Sequence, residues 1–184
     1  MTNHNPTIEA FGGSIPSLGL GTWQLHGYTA EKAVQTALET GFRHIDTARA
    51  YGNEKEVGVG MKRSEVPRNN IFITTKIPKD HLKPEDVKDQ MDKSLSDLNT
   101  DYVDLLLIHW PSKTVPVEET LGAMFKLKEA GKTRNVGLSN FTAELIEEAL
   151  DVSPGPIFCY LIEYQPDLSQ EKVIYICSRR ALTM

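Results

Sequence analysis

Four ionisable side chains lie at or just beyond the ends of apolar segments and could together move a proton. Asp46 and Tyr51 follow one segment, Lys76 ends another, and His109 ends a third. A free phenol has a pKa of about 10, and a nearby ammonium stabilises the phenolate and eases loss of the proton. Asp46 would hold the ammonium of Lys76 in place, and His109 could donate a hydrogen bond to a carbonyl oxygen. The set is suited to protonating a developing alkoxide.

Each of these residues also has a structural explanation when it is considered alone. Asp46 could cap a loop over which Tyr51 packs, Lys76 could be a solvated strand end, and His109 could be a hydrogen-bonded core histidine. Short motifs are weak evidence singly. Four coincidences at successive strand ends favour a functional site, because the carboxyl ends of parallel strands share one rim.

A proton donor alone does not reduce a carbonyl group, and no side chain supplies a hydride. The hypothesis therefore requires a nicotinamide cofactor. Ser139 and Asn140 follow the next predicted strand and could hydrogen-bond a carboxamide. Trp23 and Trp110 could wall an apolar substrate pocket, although ordinary packing at the rim explains them equally well. No metal site is expected, since Cys159 and Cys177 lack metal-ligand spacing.

The elements that would position these residues alternate regularly along the chain. Residues 7–16 surround Gly12-Gly13 and predict a hairpin, and residues 18–23 predict a first strand. Further strands begin near positions 42, 71, 103, 133 and 157, and each interval holds one amphipathic helix. This order predicts βα units with a parallel sheet in one domain, residues 1–184.

Local signals refine several of these elements. Segments 42–48 and 157–164 are predicted strands, and residues 182–183 look like the beginning of a seventh strand. Gly52 and Asn53 are residues that tolerate positive φ in the loop with Tyr51. The helix after that loop contains Gly58 and Gly60, which weaken it by about 1 kcal/mol each. Ser169 is a candidate N-cap for the last helix.

Composition excludes several classes of function. The chain has 184 residues, a net charge of -5 and 40% hydrophobic residues, which is enough for a globular core without a basic nucleic-acid surface. No segment approaches the ~18 apolar residues of a membrane span. No signal peptide is recognisable, so a cytoplasmic location is expected. The two cysteines are expected to pack as buried thiols.

Three longer motifs resemble the aldo-keto reductase family, and its 2,5-diketo-D-gluconate reductase-like members most. They are GFRHIDTA with YGNE in residues 41–54, LLIHWP in residues 106–111, and GKTRNVGLSNF in residues 131–141. They occur in the family's order and span most of the chain. The resemblance implies a TIM (β/α)8 barrel, here with about six βα units, and NADPH-dependent reduction of aldehydes or ketones.

The resemblance also implies roles for individual residues. Tyr51 would be the proton donor, supported by Asp46, Lys76 and His109. The implied cofactor-binding residues are Thr22, Trp23, Asp46, Ser139 and Asn140, and the implied substrate-binding residues are Trp23, Tyr51, His109 and Trp110. A small carbonyl compound is the implied partner. A phosphate-sugar isomerase on the same barrel is a weaker alternative, because the chain lacks a glycine-rich phosphate loop.

Two departures from the family pattern favour an alternative to reductase activity. Leu161 occupies the position at which the family has a glutamine that hydrogen-bonds the carboxamide of the nicotinamide, and Gln165 replaces a histidine. A barrel of this type takes about 250 residues, so the sequence predicts a C-terminally truncated barrel without strands seven and eight. The family is usually monomeric, but open strand edges promote association. The alternative is a catalytically silent fragment that binds cofactor poorly and self-associates.

Overall fold

The computed structural model describes residues 6–165 and 167–184, which form two sheets. Strands β1 (Thr7–Ala10) and β2 (Gly13–Pro16) pair as an antiparallel hairpin, as predicted. The second sheet is parallel, with its strands in chain order. Its members are β3 (Gly19–Gly21), β4 (His44–Asp46), β5 (Phe72–Ile77), β6 (Val103–Ile108), β7 (Thr133–Ser139) and β8 (Tyr160–Leu161).

One helix follows each strand of the parallel sheet. These helices are α1 (Gly27–Glu39), α2 (Glu54–Arg63), α3 (Pro84–Leu98), α4 (Val117–Glu129), α5 (Ala143–Val152) and α6 (Glu171–Arg179). The sheet curls into part of a barrel with the helices outside. The predicted βα alternation, the parallel sheet and the incomplete barrel are therefore confirmed. Among the described residues, no helix has the length and apolar character needed to span a membrane.

The core has two compartments because neighbouring residues of a strand face opposite sides of the sheet. Leu106 and Ile108 pack outward against the helices, and Leu105 and Leu107 belong to a smaller apolar cluster that includes Phe158. The hairpin covers this smaller cluster through Ala10 and Ile15. It therefore closes the amino-terminal opening of the sheet, and the carboxyl ends of the strands stay accessible.

Two strands are shorter than the sequence predicts. Strand β4 has three residues, each paired with β3 on one side and with β5 on the other, and the amide of Thr22 donates to the carbonyl oxygen of Asp46 at 3.0 Å. Strand β8 has two residues because its neighbour β7 ends at Ser139, and Asn140 turns the chain away with φ +61°. Beyond β8, Thr183 forms an isolated parallel bridge with Cys159, where the sequence predicts a new strand to begin.

Of the two loop residues that tolerate positive φ, only Gly52 takes the left-handed conformation. Its φ is +66°, whereas that of Asn53 is -127°. The side chain of Asn53 is instead used in hydrogen bonds described below. Ser169 does not cap the last helix, whose N-cap is Gln170 without a side-chain cap bond. The buried free thiols of Cys159 and Cys177 agree with the packing role that was predicted.

The two glycines of α2 allow close helix packing. A Cβ on Gly58 would lie 2.7 Å from the carbonyl oxygen of Leu98, and one on Gly60 would lie 2.6 Å from the carbonyl oxygen of Glu31. Backbone atoms cannot move away as the end of a flexible side chain can. Glycine at positions 58 and 60 lowers the helix propensity of α2, but it is required there because α2 packs directly against the backbones of α1 and α3.

This packing predicts opposite effects for two Gly→Ala substitutions. Gly58→Ala should lower the free energy of unfolding by about 1–3 kcal/mol, because the added methyl group overlaps a backbone carbonyl. Gly122→Ala in α4 should raise it by about 0.5–1 kcal/mol, since a Cβ there meets nothing within 4 Å. Urea denaturation of both variants measures the difference. Equal stabilisation by both substitutions would contradict the packing argument.

Candidate active site

The ammonium of Lys76 is the centre of the polar cluster at the carboxyl ends of the strands. Its side chain is only 2% exposed and lies 2.5 Å from Oδ1 of Asp46. The same nitrogen donates to the carbonyl oxygen of Thr47 at 2.9 Å and to the hydroxyl of Tyr51 at 3.4 Å. Lys76 and Asp46 lie on adjacent strands and face the same side of the sheet, which brings the buried charges into contact.

Tyr51 reaches this ammonium from a short 3₁₀ turn, Arg49–Tyr51, that follows β4. Gly52 ends the turn in the left-handed region, which costs glycine little. The ring of Tyr51 then packs edge-on against His109, with 5.6 Å between the ring centroids and an interplanar angle of 77°. The Tyr51 side chain thus contacts the ammonium of Lys76 through its hydroxyl and the imidazole of His109 through its ring.

His109 is half-buried at the end of β6. Burial lowers the pKa of its imidazole to about 4, and the positive charge of Lys76 contributes, while Asp46 opposes the shift. At neutral pH the ring is therefore uncharged. A neutral imidazole carries one N–H, which can donate to a carbonyl oxygen without placing a second positive charge beside Lys76.

Ser139 and Asn140 form the neighbouring polar pair at the end of β7. The amide nitrogen of Asn140 donates to the carbonyl oxygen of His109 and to Oγ of Ser139, both at 2.8 Å. These bonds connect the pair to the residue that carries the imidazole. Leu161 lies beside Ser139 in the register of β7 and β8, and offers no polar atom from its side chain.

The remaining predicted residues are at the rim. Thr22 is fully buried, and its hydroxyl donates to the carbonyl oxygen of Asp46 at 3.2 Å, so it supports the strand that carries the carboxylate. Trp23 is 66% exposed and Trp110 is 51% exposed. Large exposed indoles are available to contact a ligand. Of the two, Trp110 lines the cavity that contains His109.

Sequence reasoning missed the role of Asn53, which is fully buried beneath the cluster. The side-chain oxygen Oδ1 of Asn53 accepts from the hydroxyl of Thr47 at 3.0 Å. Its side-chain nitrogen Nδ2 donates to the backbone carbonyl oxygens of Thr22 and Leu25 at 2.7 and 2.9 Å. These bonds connect the loop with Tyr51 to the ends of β3 and β4. The signal in the sequence was a polar residue inside the YGNE motif.

Glu54, the first residue of α2, is also buried, with 2% of its surface exposed, and its role was not apparent from the sequence. Its carboxylate accepts from Thr75 at 2.6 Å, from Arg49 at 2.8 Å and from Ser94 at 3.0 Å. Thr75 is the residue before Lys76 and faces the opposite side of the sheet. Glu54 therefore attaches the first turn of α2, and the loop with Tyr51, to the strand that carries the ammonium.

Two cavities lie on either side of Trp110. The larger, about 650 Å³, is between the beginnings of α5 and α6 and includes Asn140. The other, about 590 Å³, contains His109. Of the four ionisable residues, His109 lines the smaller cavity, and none lines the larger one. A curled parallel sheet with such a cluster at its carboxyl ends defines a protein of the (β/α)8-barrel class.

Comparisons with known proteins give the family. The sequence matches the Aldo/keto reductase family over residues 17–182, and the chain belongs to that family. A methylglyoxal reductase of Salmonella typhi is 44% identical over 164 residues, which cover 88% of this chain and 61% of the relative. The chain spans 57% to 61% of the length of the first curated relatives that it matches.

Solved structures agree with this assignment. A putative 2,5-diketo-D-gluconic acid reductase B is 43% identical with a TM-score of 0.89, over 91% of this chain and 60% of that chain. A Bombyx mori aldo-keto reductase solved in complex with NADP is 31% identical with a TM-score of 0.89, over 96% of this chain and 64% of that chain. The predicted resemblance and fold are confirmed.

The environment of His109 predicts an unusual titration. Its imidazole resonance should titrate in NMR spectra with a midpoint of about 4, because burial and Lys76 both oppose protonation. Lys76→Met should raise this midpoint, since the substitution removes a positive charge and leaves Asp46 without its partner. Because the pKa is lower in the folded protein, stability contributed by neutral His109 is complete above pH ~6.5 and is lost toward pH ~4.

Two controls make this titration specific. His109→Gln assigns the resonance, since burial also lowers the pKa of His44. Lys55→Met removes the charge of an exposed lysine on α2 and should leave the midpoint unchanged. A wild-type midpoint near 6.5 would contradict the geometry described here.

Proposed function

We propose that the chain reduces aldehydes and ketones to alcohols with NADPH, and that Tyr51 donates the proton. The observation that carries the proposal is the contact of the Tyr51 hydroxyl with Lys76, whose ammonium is already paired with Asp46. The relatives named as reductases support the reaction class. The activity, substrates and cytoplasmic location of the whole protein stay proposals.

The residues around Ser139 fit one part of a nicotinamide. A primary carboxamide has a carbonyl oxygen that accepts and an NH₂ group that donates. The hydroxyl of Ser139 can donate to that carbonyl oxygen, and Oδ1 of Asn140 can accept from the NH₂ group. The side-chain nitrogen of Asn140 already donates to the carbonyl oxygen of His109 and to Oγ of Ser139. Thr22, Trp23 and Asp46 complete the proposed cofactor-contacting set. When bound, the nicotinamide supplies the hydride.

The chain's own residues would then handle the oxygen of the substrate. The N–H of neutral His109 donates to the carbonyl oxygen and orients it toward Tyr51. The phenol gives its proton to the oxygen as negative charge develops there. Lys76 stabilises the phenolate that remains, and Asp46 holds the ammonium in position. Trp23 and Trp110 are the proposed apolar walls around the substrate.

Self-association is the second candidate, and the edges of the sheet favour it. Within the described residues, β3 and β8 are the two edge strands of the parallel sheet. Each has a partner strand on one side only, and the open side next to β8 carries a single bridge, between Cys159 and Thr183. Unpaired edges recruit other strands. This candidate stays a prediction, and sedimentation velocity measures it directly.

The proposed role of the phenol is tested by Tyr51→Phe. We expect aldehyde turnover with NADPH to fall by about 10²- to 10⁴-fold, the usual contribution of a positioned proton donor. Binding of NADPH, followed by its fluorescence, should be nearly unchanged. Tyr175→Phe is the matched control, because Tyr175 is 64% exposed and lies within α6. Wild-type protein that binds no NADPH would refute the proposal.

The proposed carboxamide contacts are tested by Leu161→Gln. A glutamine beside Ser139 would add a hydrogen bond to the amide, which is worth about 0.5–1.5 kcal/mol, or roughly 2- to 13-fold in affinity for NADPH. Leu161→Met keeps the side chain apolar and should leave affinity unchanged. Equal affinities in wild type and both variants would show that the carboxamide does not lie there.

A further inference from the structure

The short turn that carries Tyr51 begins at Arg49, and the side chain of Arg49 is bound to two helices. Its guanidinium nitrogen Nη1 donates to Oε2 of Glu54 at 2.8 Å and also to a carboxylate oxygen of Asp97. Glu54 is the first residue of α2, and Asp97 lies in the last turn of α3. The carbonyl oxygen of Arg49 accepts from the amide of Gly52 at 3.2 Å, which closes the turn. One end of the turn is thus attached to α2 and α3, and Tyr51 is at the other end.

The three charges differ in burial, and their removal should differ in consequence. The side chain of Glu54 is 1% exposed, that of Arg49 is 26% exposed and that of Asp97 is 36% exposed. Loss of Arg49 would leave the buried carboxylate of Glu54 without this cation, which is strongly destabilising. Asp97 can lose its charge while the buried pair stays intact, and a partly exposed ion pair contributes little to stability. The contact with Asp97 therefore restricts the direction of the guanidinium more than it stabilises the fold.

We propose that Arg49 and Asp97 are positioning residues for the proton donor, and that Asp97 acts through Arg49. The proposal rests on the proposed function, in which Tyr51 donates the proton. Two carboxylates on different helices fix one guanidinium, and the turn has three residues, so a displacement of Arg49 is transmitted to Tyr51. The hydroxyl of Tyr51 is 3.4 Å from the ammonium of Lys76, beyond the usual range of about 2.7–3.2 Å. A small further displacement would therefore remove this contact.

The same helix provides a matched control for Asp97. Asp92 is also an ion-paired carboxylate of α3, with 40% of its side chain exposed, and its partners are Lys88 and Lys132. These lysines lie on α3 itself and directly before β7, and not in the turn with Tyr51. Asp97→Asn and Asp92→Asn thus remove the same charge from one helix at similar exposure. They differ in whether the lost partner belongs to the turn.

Turnover of an aldehyde with NADPH measures the effect on the reaction. A misplacement of about 1 Å can cost 10²-fold in rate, and loss of one partner of Arg49 should cause a smaller one. We expect Asp97→Asn to lower kcat about three- to thirtyfold with little change in KM, because the lost interaction acts in the transition state. Asp92→Asn should keep kcat, and both variants should shift the urea midpoint slightly and equally. Arg49→Lys should retain most of kcat, since one nitrogen of Arg49 contacts both carboxylates.

A double-mutant cycle tests whether Asp97 acts through Arg49. The background is Arg49→Met combined with Glu54→Gln, which removes both members of the buried pair and leaves no unpaired charge. In this background Asp97→Asn should have no further effect on kcat, whereas independent effects would multiply. If urea unfolding shows that the background does not fold, the comparison of Asp97→Asn with Asp92→Asn decides alone.

An NMR measurement separates the positioning role from the proposed function. In protein with ¹³C-labelled tyrosine, NOE cross-peaks between the rings of Tyr51 and His109 report their edge-on contact, and Tyr51→Phe assigns the tyrosine resonance. Asp97→Asn should weaken these cross-peaks, and Asp92→Asn should not. Weakened cross-peaks in a protein that reduces no aldehyde would support the positioning role and contradict the reductase activity. Unchanged cross-peaks in Asp97→Asn, an unchanged kcat in an active enzyme, or the same losses in Asp92→Asn would overturn the positioning role.

Discussion

The whole site depends on one constraint, which is that the buried ammonium of Lys76 must have anionic and carbonyl partners. An isolated charge at 2% exposure costs several kcal/mol, and losing one partner of a buried pair costs about 3–5 kcal/mol. Asp46 and the carbonyl of Thr47 supply these partners only when β4 lies beside β5 in the observed register. A pair of well-packed apolar residues would stabilise the sheet at least as well. In the proposed function, the two charges are retained because the ammonium contacts the hydroxyl of Tyr51.

The loop that carries Tyr51 is held by buried polar groups. Asn53 ties it to the ends of two strands, and Glu54 attaches the helix that follows to Thr75, the residue before Lys76. In the low dielectric of the interior, each unsatisfied group would cost more than at the surface. The loop that carries Tyr51 and the strand that carries Lys76 are therefore joined by buried hydrogen bonds. These bonds restrict the distance between the phenol and the ammonium more narrowly than a solvent-exposed loop could.

The order of elements was predictable from the sequence because hydrophobic periodicity and glycine positions report on each segment separately. The gathering of Asp46 and Lys76 was also predictable, since parallel strands end at one rim. The roles of Asn53 and Glu54 were not, because their partners lie far away in sequence and polar residues after a turn fit many loops. The extent of β8 depended on where β7 ends, which the residues of β8 do not encode.

The two halves of the proposed site depend on different parts of the sheet. The residues proposed to transfer the proton lie on or after β4, β5 and β6, and each of these strands has neighbours on both sides. The carboxamide contacts lie at the end of β7, where β8 contributes two residues and Leu161 offers no polar side-chain atom. The proposed acid–base residues thus lie on or after strands that are paired on both sides, whereas the proposed cofactor contacts lie beside the shortest strand of the parallel sheet. A change in β8 would therefore be expected to affect the proposed cofactor contacts more than the position of Tyr51.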